Sequence, residues 1–544
     1  MSPEAWRKPA ASAASATSLA RSATVIAVAF VLSRALGLVR EIILARLFGT
    51  SIETSAYVSA FRVPDLLFLI IMAGSFGSAF IPVFAGLMGA GRREDAWRLA
   101  STVLNLAGIA LAATAALAFA FAEPIVHYLV APGASPEAQA LTTETMRILL
   151  LSPVFLGLGI AAKGILEGQD RFDLPAFAPV VYNIGTILGA ILLGPTMGIK
   201  GVAVGVVAGA IGHVLIQTPG LVRSGMRYSP RIDLGAPGLT DVGRLLGPRL
   251  IGQAAFQINF IVVTSLAWRT GEASVSAINY AWQLLMLPHG VLALSISTVI
   301  FPTMSRLYQQ HDLAGLRATL ARAIKPLVFL TLPAAVGLFF FRTAIVQTIF
   351  QGGRFSAEST ALVTPALAWF AAGLLGYAAV EALTRAFYAM HDTTTPVVTG
   401  IAIIILNIAI GVLFVDRFGY VVLAFGLSLT TAIEALALFA VLRLRLGGAG
   451  VSEWAWVGKT FLATVAMGLV AAFLGDPVAA ATAPGVASRF AQVALFLCAL
   501  AVSGATYFLA AWLLRLPELR TAFNQIGRKL PGGRRLLGLL NHVG

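Results

Sequence analysis

The chain has a single cysteine, Cys498, set in a late apolar run. An intrachain disulfide is therefore impossible, and cysteine usage carries no information on redox compartment. Charge is scarce too: 11% of the 544 residues are Asp, Glu, Lys or Arg, against 58% hydrophobic, and mean hydropathy is +0.87. Soluble domains carry roughly a quarter charged residues, so the composition excludes one and defines an integral membrane protein. The six histidines, His127, His213, His289, His311, His391 and His542, show no metal-ligand spacing. A phosphate-cradling glycine loop and a nucleophile elbow are both missing, and no loop has the length or acid clusters of a membrane-bound transferase. The expectation is a protein that is not an enzyme and uses neither cofactor nor metal. Any driving force must come from an ion gradient, the membrane potential or substrate supply. Period-two alternation is absent as well, which excludes a membrane β-barrel.

What the sequence does have is apolar runs of spanning length, recurring from residues 23–48 to 487–514, about fourteen in all. The expected fold is an all-α polytopic membrane protein. The first run follows Arg21, is too long for a secretory signal and has no small-residue cleavage site, so it reads as a retained span. Basic residues set the orientation. Twenty-five of the 38 Lys and Arg fall on one side, including Arg92, Arg93, Arg223, Arg317, Arg443 and the tail residues Arg528 to Arg535. Seven fall on the other and six lie within spans. This bias places both ends in the cytoplasm and explains the formal charge of +14 without nucleic acid. The basic tail is an inner-face flank that attracts anionic phospholipid.

The chain also repeats itself. Ser78-Ala-Phe-Ile-Pro82 parallels Thr298-Val-Ile-Phe-Pro302, and Gly164-Ile-Leu-Glu-Gly-Gln-Asp170 resembles Ala386-Phe-Tyr-Ala-Met-His-Asp392, at an offset of about 220 residues. Six spans separate the matched elements, so the repeats run parallel, as in carriers whose lobes rock about a central site. The expected domains are an N-terminal stretch 1–20, a first lobe 21–225, a second lobe 226–450, a final helix pair 451–515 and a tail 516–544.

Ser33 to Gly49, inside the first run, carries Arg34, Arg40, Glu41 and Arg46. Each charge near a bilayer midplane costs about 2.5–3.5 kcal/mol, so those near the middle are expected to avoid lipid. Arg34 and Arg40 fall about 120° apart on a helix, and Glu41 within about 20° of Arg34. Either the helix bends at Gly37 or it borders a wide, wet cavity.

Several stretches together carry a family resemblance: Ser33-Arg-Ala-Leu-Gly-Leu-Val-Arg-Glu41, Ala60-Phe-Arg-Val-Pro-Asp-Leu66, Gly74-Ser-Phe-Gly-Ser-Ala-Phe-Ile-Pro82, Asp170-Arg-Phe-Asp-Leu-Pro175 with Asn183, and Gly352-Gly-Arg-Phe-Ser356. In these the chain resembles the MurJ/MviN family of lipid II flippases, within the superfamily of multidrug and oligosaccharidyl-lipid exporters. The resemblance implies two six-helix lobes, a cavity open alternately to either side, and two C-terminal helices forming a hydrophobic groove. It implies transport of lipid II, an undecaprenyl-pyrophosphate-linked peptidoglycan precursor, across the bacterial inner membrane, with cell-wall synthesis proteins as partners.

Guanidinium groups suit such a cargo because they bind phosphate oxygens in paired hydrogen bonds. Arg34, Arg40 and Arg62 match basic positions of the family and are expected to line a head-group cavity. The alternatives are a structural pair of Arg40 with Glu41 and local pairing of Arg62 with Asp65. Glu41 is read as a charge partner, and Arg46, which could snorkel to the head groups, and Ser55 are further candidates. Four positions depart from the family pattern: Ser55 replaces an acid, Phe68 an arginine, Ala73 a glutamate, and Ala281-Trp282-Gln283 stands for Ala-Asp-Arg. Gln283 still hydrogen-bonds a phosphate or sugar but brings no charge. Fewer cavity charges mean weaker phosphate binding: lipid II stays the first reading of the cargo, the missing arginine and acids motivate another polyprenyl-linked oligosaccharide as the alternative, and a non-transporting membrane scaffold is the third reading. Glu381 and Arg385, at i,i+4, are expected to pair along one helix face. Glu434 is a lone acid in the twelfth span, readable as a buried hydrogen-bonded site or a cation ligand.

Overall fold

Apolar runs punctuated by glycine and proline give helices. Among the described residues the one strand-like pairing is an isolated bridge between Gly352 and Phe355. The computed structural model describes residues 13–71, 76–447, 454–486 and 488–519. Residues 1–12, 72–75 (with Ala73 and Gly74), 448–453, 487 and the basic tail from Arg520 lie outside the described residues.

The chain divides into two compact units, Met1–Phe48 with Ile52–Val262, and Gly49–Ser51 with Val263–Gly544. The first holds α1 (Ala13–Phe48), α2 (Ile52–Ala60), α3 (Arg62–Ile71), α4 (Phe76–Gly89), α5 (Arg93–Ala120), α6 (Ala122–Ile125), α7 (Pro136–Leu149), α8 (Ser152–Glu167), α9 (Asp173–Leu188), α10 (Gly194–Met197), α11 (Ile199–Leu215) and α12 (Thr218–Arg223). Helix α13 (Leu239–Trp268) starts in it and ends in the second. The second continues with α14 (Ser274–Gln309), α15 (Leu313–Phe340), α16 (Arg342–Ile349), α17 (Ala357–Ala389), α18 (Thr394–Phe418), α19 (Val421–Arg445), α20 (Trp454–Ala481) and α21 (Arg489–Leu513).

Among the described residues eleven helical stretches are long and apolar enough to cross a membrane, joined by the shorter apolar segments Phe80–Gly89 and Ala255–Trp268. Against the fourteen runs of the sequence, the differences have local causes. The second run, read as one helix, is divided between α2 and α3, where Pro64 lacks the N–H that would continue the ladder. The fourth run starts earlier than its apolar stretch and breaks between α7 and α8, just ahead of Pro153.

The repeat is legible in backbone geometry within each unit. Ser135 caps α7 by accepting from the Ala138 N–H, and Ser356, 221 residues on, caps α17 by accepting from the Ser359 N–H. Left-handed residues follow the same register: Gly91 and His311, Asp170 and His391, Gly198 and Gly419. In the first unit α9 and α11 pack through glycine. A Cβ added to Gly205 would stand 2.6 Å from the Gly189 Cα, and one at Gly209 would meet the Tyr182 backbone. Small residues at such a seam let backbones approach closely in a bilayer, where no hydrophobic force drives helices together.

Candidate functional site

Helix α1 packs against α9, and this contact builds the most developed polar group of the first unit. The Arg40 Nε and Nη2 donate to Glu41 Oε1 at 3.2 and 2.7 Å, and Nη1 donates to Asn183 Oδ1 at 3.2 Å. The other end of the Asn183 amide donates to the Ser33 carbonyl at 3.3 Å and the Pro179 carbonyl at 3.1 Å, which fixes its orientation. A guanidinium has five N–H donors. These bonds use three, and 23% of the Arg40 side chain is still exposed, against 11% for Glu41. Arg40 is thus held through all three guanidinium nitrogens while part of its side chain stays exposed. Tyr57, Tyr182 and Asp65 lie within electrostatic reach of it.

Arg62 is half-buried, near Asp65 and 5.3 Å from the centroid of the Phe260 ring. Through Asp65 it belongs to the same neighbourhood as Arg40 and Glu41. Arg34 does not join them; it is exposed, its guanidinium 5.3 Å from the Phe30 ring centroid. Arg46 is also exposed, and Ser55 is fully buried. In the second unit Gln283 is half-buried on α14, beside Trp282, whose ring rests on Phe370 and Tyr377 of α17. Phe68 packs against the apolar cluster of Phe80, Phe84 and Trp97. Arg385 sets Nε and Nη2 against Glu381 Oε1 at 2.9 and 2.8 Å. Asn183, Tyr57 and Tyr182 were not predicted as site residues. The available signal was a carboxamide in an otherwise apolar run, with nothing in the sequence to say which charge it served.

The second unit also holds an apolar cavity of about 340 Å³, lined by Pro288, Leu330, Gly337, Met467, Phe496 and Tyr507 of α14, α15, α20 and α21. No three His, Cys, Asp or Glu side chains converge as a metal site among the described residues.

Repeated helical units, many membrane-crossing helices and a guanidinium kept inside a span define a polytopic membrane protein built on an internal repeat. Solved structures share this fold. One titled "Lipid II flippase MurJ, inward closed conformation" aligns at a TM-score of 0.72 with 24% identity, covering 89% of this chain and 98% of that one. An inward-facing multidrug resistance MATE family transporter of the MOP superfamily aligns at 0.65 with 19% identity, covering 77% and 96%. In sequence, the lipid II flippase MurJ of Burkholderia cenocepacia is 32% identical over 422 residues, 76% of this chain and 82% of the relative. A Vibrio cholerae protein named "Probable lipid II flippase MurJ" is 28% identical over 526 residues, 93% and 98% of the two chains. The model of the family "Lipid II flippase MurJ" matches residues 44–489. The chain belongs to the MurJ family.

Proposed function

We propose that this protein is an alternating-access flippase that moves lipid II across the bacterial inner membrane for cell-wall synthesis, with both ends in the cytoplasm and no enzymatic step. The observation that carries the reading is the half-committed guanidinium of Arg40, held by Glu41 and Asn183 with two donors left over. A pyrophosphate linked to a large, hydrated sugar cannot cross hydrocarbon unaided. It needs a sheltered donor whose geometry is fixed before the ligand arrives, so that little ordering remains to be done on binding. Arg40 supplies the charge, Asn183 and Glu41 hold its plane, and Arg62 with Asp65 extends the polar surface. Arg34 contributes as a second exposed cation on α1. The apolar cavity beside α20 and α21 is a chamber for the prenyl tail, and Gln283 makes an uncharged contact to phosphate or sugar. Membrane phospholipid and cell-wall synthesis proteins complete the partners.

A second cargo, another polyprenyl-linked oligosaccharide, is favoured by one feature. Phe68 packs into an apolar cluster and Gln283 is neutral, so the cationic inventory is smaller than the family pattern. Complementation separates the two. Expression in a strain depleted of its own lipid II flippase is expected to restore growth; well-expressed protein that fails to rescue supports the second cargo.

A further inference from the structure

Glu434 lies on α19 among buried neighbours one turn either way, Thr430, Thr431, Ala435 and Leu438. It is half-buried, and among the described residues its carboxylate has neither a hydrogen bond nor an ion pair. Glu381 of α17 in the same unit is, by contrast, matched by Arg385. An ionised carboxylate with no partner inside a span is unfavourable, because neither hydrogen bonds nor a counter-charge replace its lost water. The surroundings add a second observation. The hydroxyls of Tyr377 on α17 and Ser428 on α19 are both buried and near each other, with no well-formed hydrogen bond to either among the described residues. Thr431 spends its donor on the Leu427 carbonyl at 2.7 Å. Tyr377 is within electrostatic reach of Glu434. Native structures rarely leave buried hydroxyls unsatisfied unless a water, an ion or a function is involved.

The groups facing this site are few. Helix α17 brings Tyr377, with the Glu381–Arg385 pair one and two turns on, and His289 of α14 rests on the Tyr377 ring at 6.5 Å. Helix α18 brings Gly400, where an added Cβ would stand 3.6 Å from Glu434 Oε1, and from Thr394 to Val415 it has no charged residue. The repeat marks the position too. Gly198 and Gly419 open α11 and α19 with the same left-handed backbone, and His213 and Glu434 each lie fifteen residues further on. His213 is buried against Gly159, where a Cβ would come within 2.7 Å of its Cε1. Each unit therefore places a titratable side chain at one repeat position of its final repeat helix.

We propose that Glu434 is a proton-binding site of the second unit, holding one proton as a neutral acid beside Gly400 of α18 and within reach of Tyr377 of α17, and releasing it to water when the helices part. Only an O–H bond is made or broken. Coupling to a proton gradient follows, independently of which lipid is carried.

The test is infrared titration of the full chain in lipid nanodiscs, following the carbonyl band of a protonated carboxyl group. Wild type is expected to show the band at neutral pH and lose it in alkali; E434Q is expected to lack it, and E381Q to keep it. Y377F, which removes one hydroxyl, is expected to shift the band's frequency and serves if E434Q does not fold. A folded wild type without the band at neutral pH, or a band that survives in E434Q, overturns the proposal. So does loss of the band on adding sodium at constant pH, which would assign the site to a metal cation.

Discussion

Two N–H groups of Arg40 decide how this protein is read at the scale of single residues. A hydrogen bond to a charged group contributes about 1.5–3 kcal/mol, so replacing Arg40 by alanine is expected to weaken binding of an undecaprenyl-pyrophosphate lipid by roughly ten- to a hundredfold. R40K, which keeps the charge but loses the planar fork, should recover only part of it. Equal affinity for R40A and wild type in a binding titration would remove Arg40 from the site. Asn183→Ala strands the Ser33 contact and frees the Arg40 plane, and should show a smaller loss of the same kind. The turn after α17 offers a separate test outside the membrane. Partial burial disfavours the charged form of Asp392, but hydrogen bonds from the Thr395 N–H and hydroxyl and from Arg445 outweigh it and hold its carboxyl below the ordinary value. A depressed folded-state value means stabilisation that is complete above the unfolded carboxylate range, about 3.9, and is lost as pH falls through the folded value. Thermal stability of D392N should thus fall less on acidification than that of wild type. At this scale charges inside a span were legible in the sequence. The ligand of Arg40 was not, because a neutral amide 143 positions away gives no electrostatic signal and α9 is brought beside α1 only by the fold.

Helices and their seams form the next level. The α9–α11 seam tolerates no side chain at Gly189 or Gly205, since each would press on the other backbone. Overpacking typically destabilises by about 1–3 kcal/mol, so G205V is expected to lower the melting temperature measurably, while G91A on an open turn is strained by its left-handed φ but meets no neighbour. A G205V protein that melts like wild type would show that the seam is loose. Most helices could be read from runs of apolar residues. Their interruptions were harder: Pro64 and Pro153 are visible in the sequence, yet proline also sits inside continuous α14 and α15, where packing absorbs the break. Whether a proline divides a helix is settled by its neighbours in space.

For the molecule as a whole, the repeat offset and the distribution of arginine and lysine carried most of the information, because both are set by membrane insertion and not by fine packing. The positions at which the repeat recurs as identical turns, such as Asp170 and His391, are chemically unlike, so sequence matching alone understates the repeat. The proposed orientation has a direct consequence for accessibility. In a C498S background, a cysteine at Ser51 should react with an impermeant maleimide from outside intact cells, and one at Gly447 only after permeabilisation. The reverse pattern would invert the topology. The most direct test of the central claim is translocation of fluorescent lipid II in proteoliposomes holding the purified protein. The account predicts transfer between leaflets that falls at least tenfold in R40A while the folded protein persists. Transfer by R40A at the wild-type rate, or none by the wild type, would contradict it.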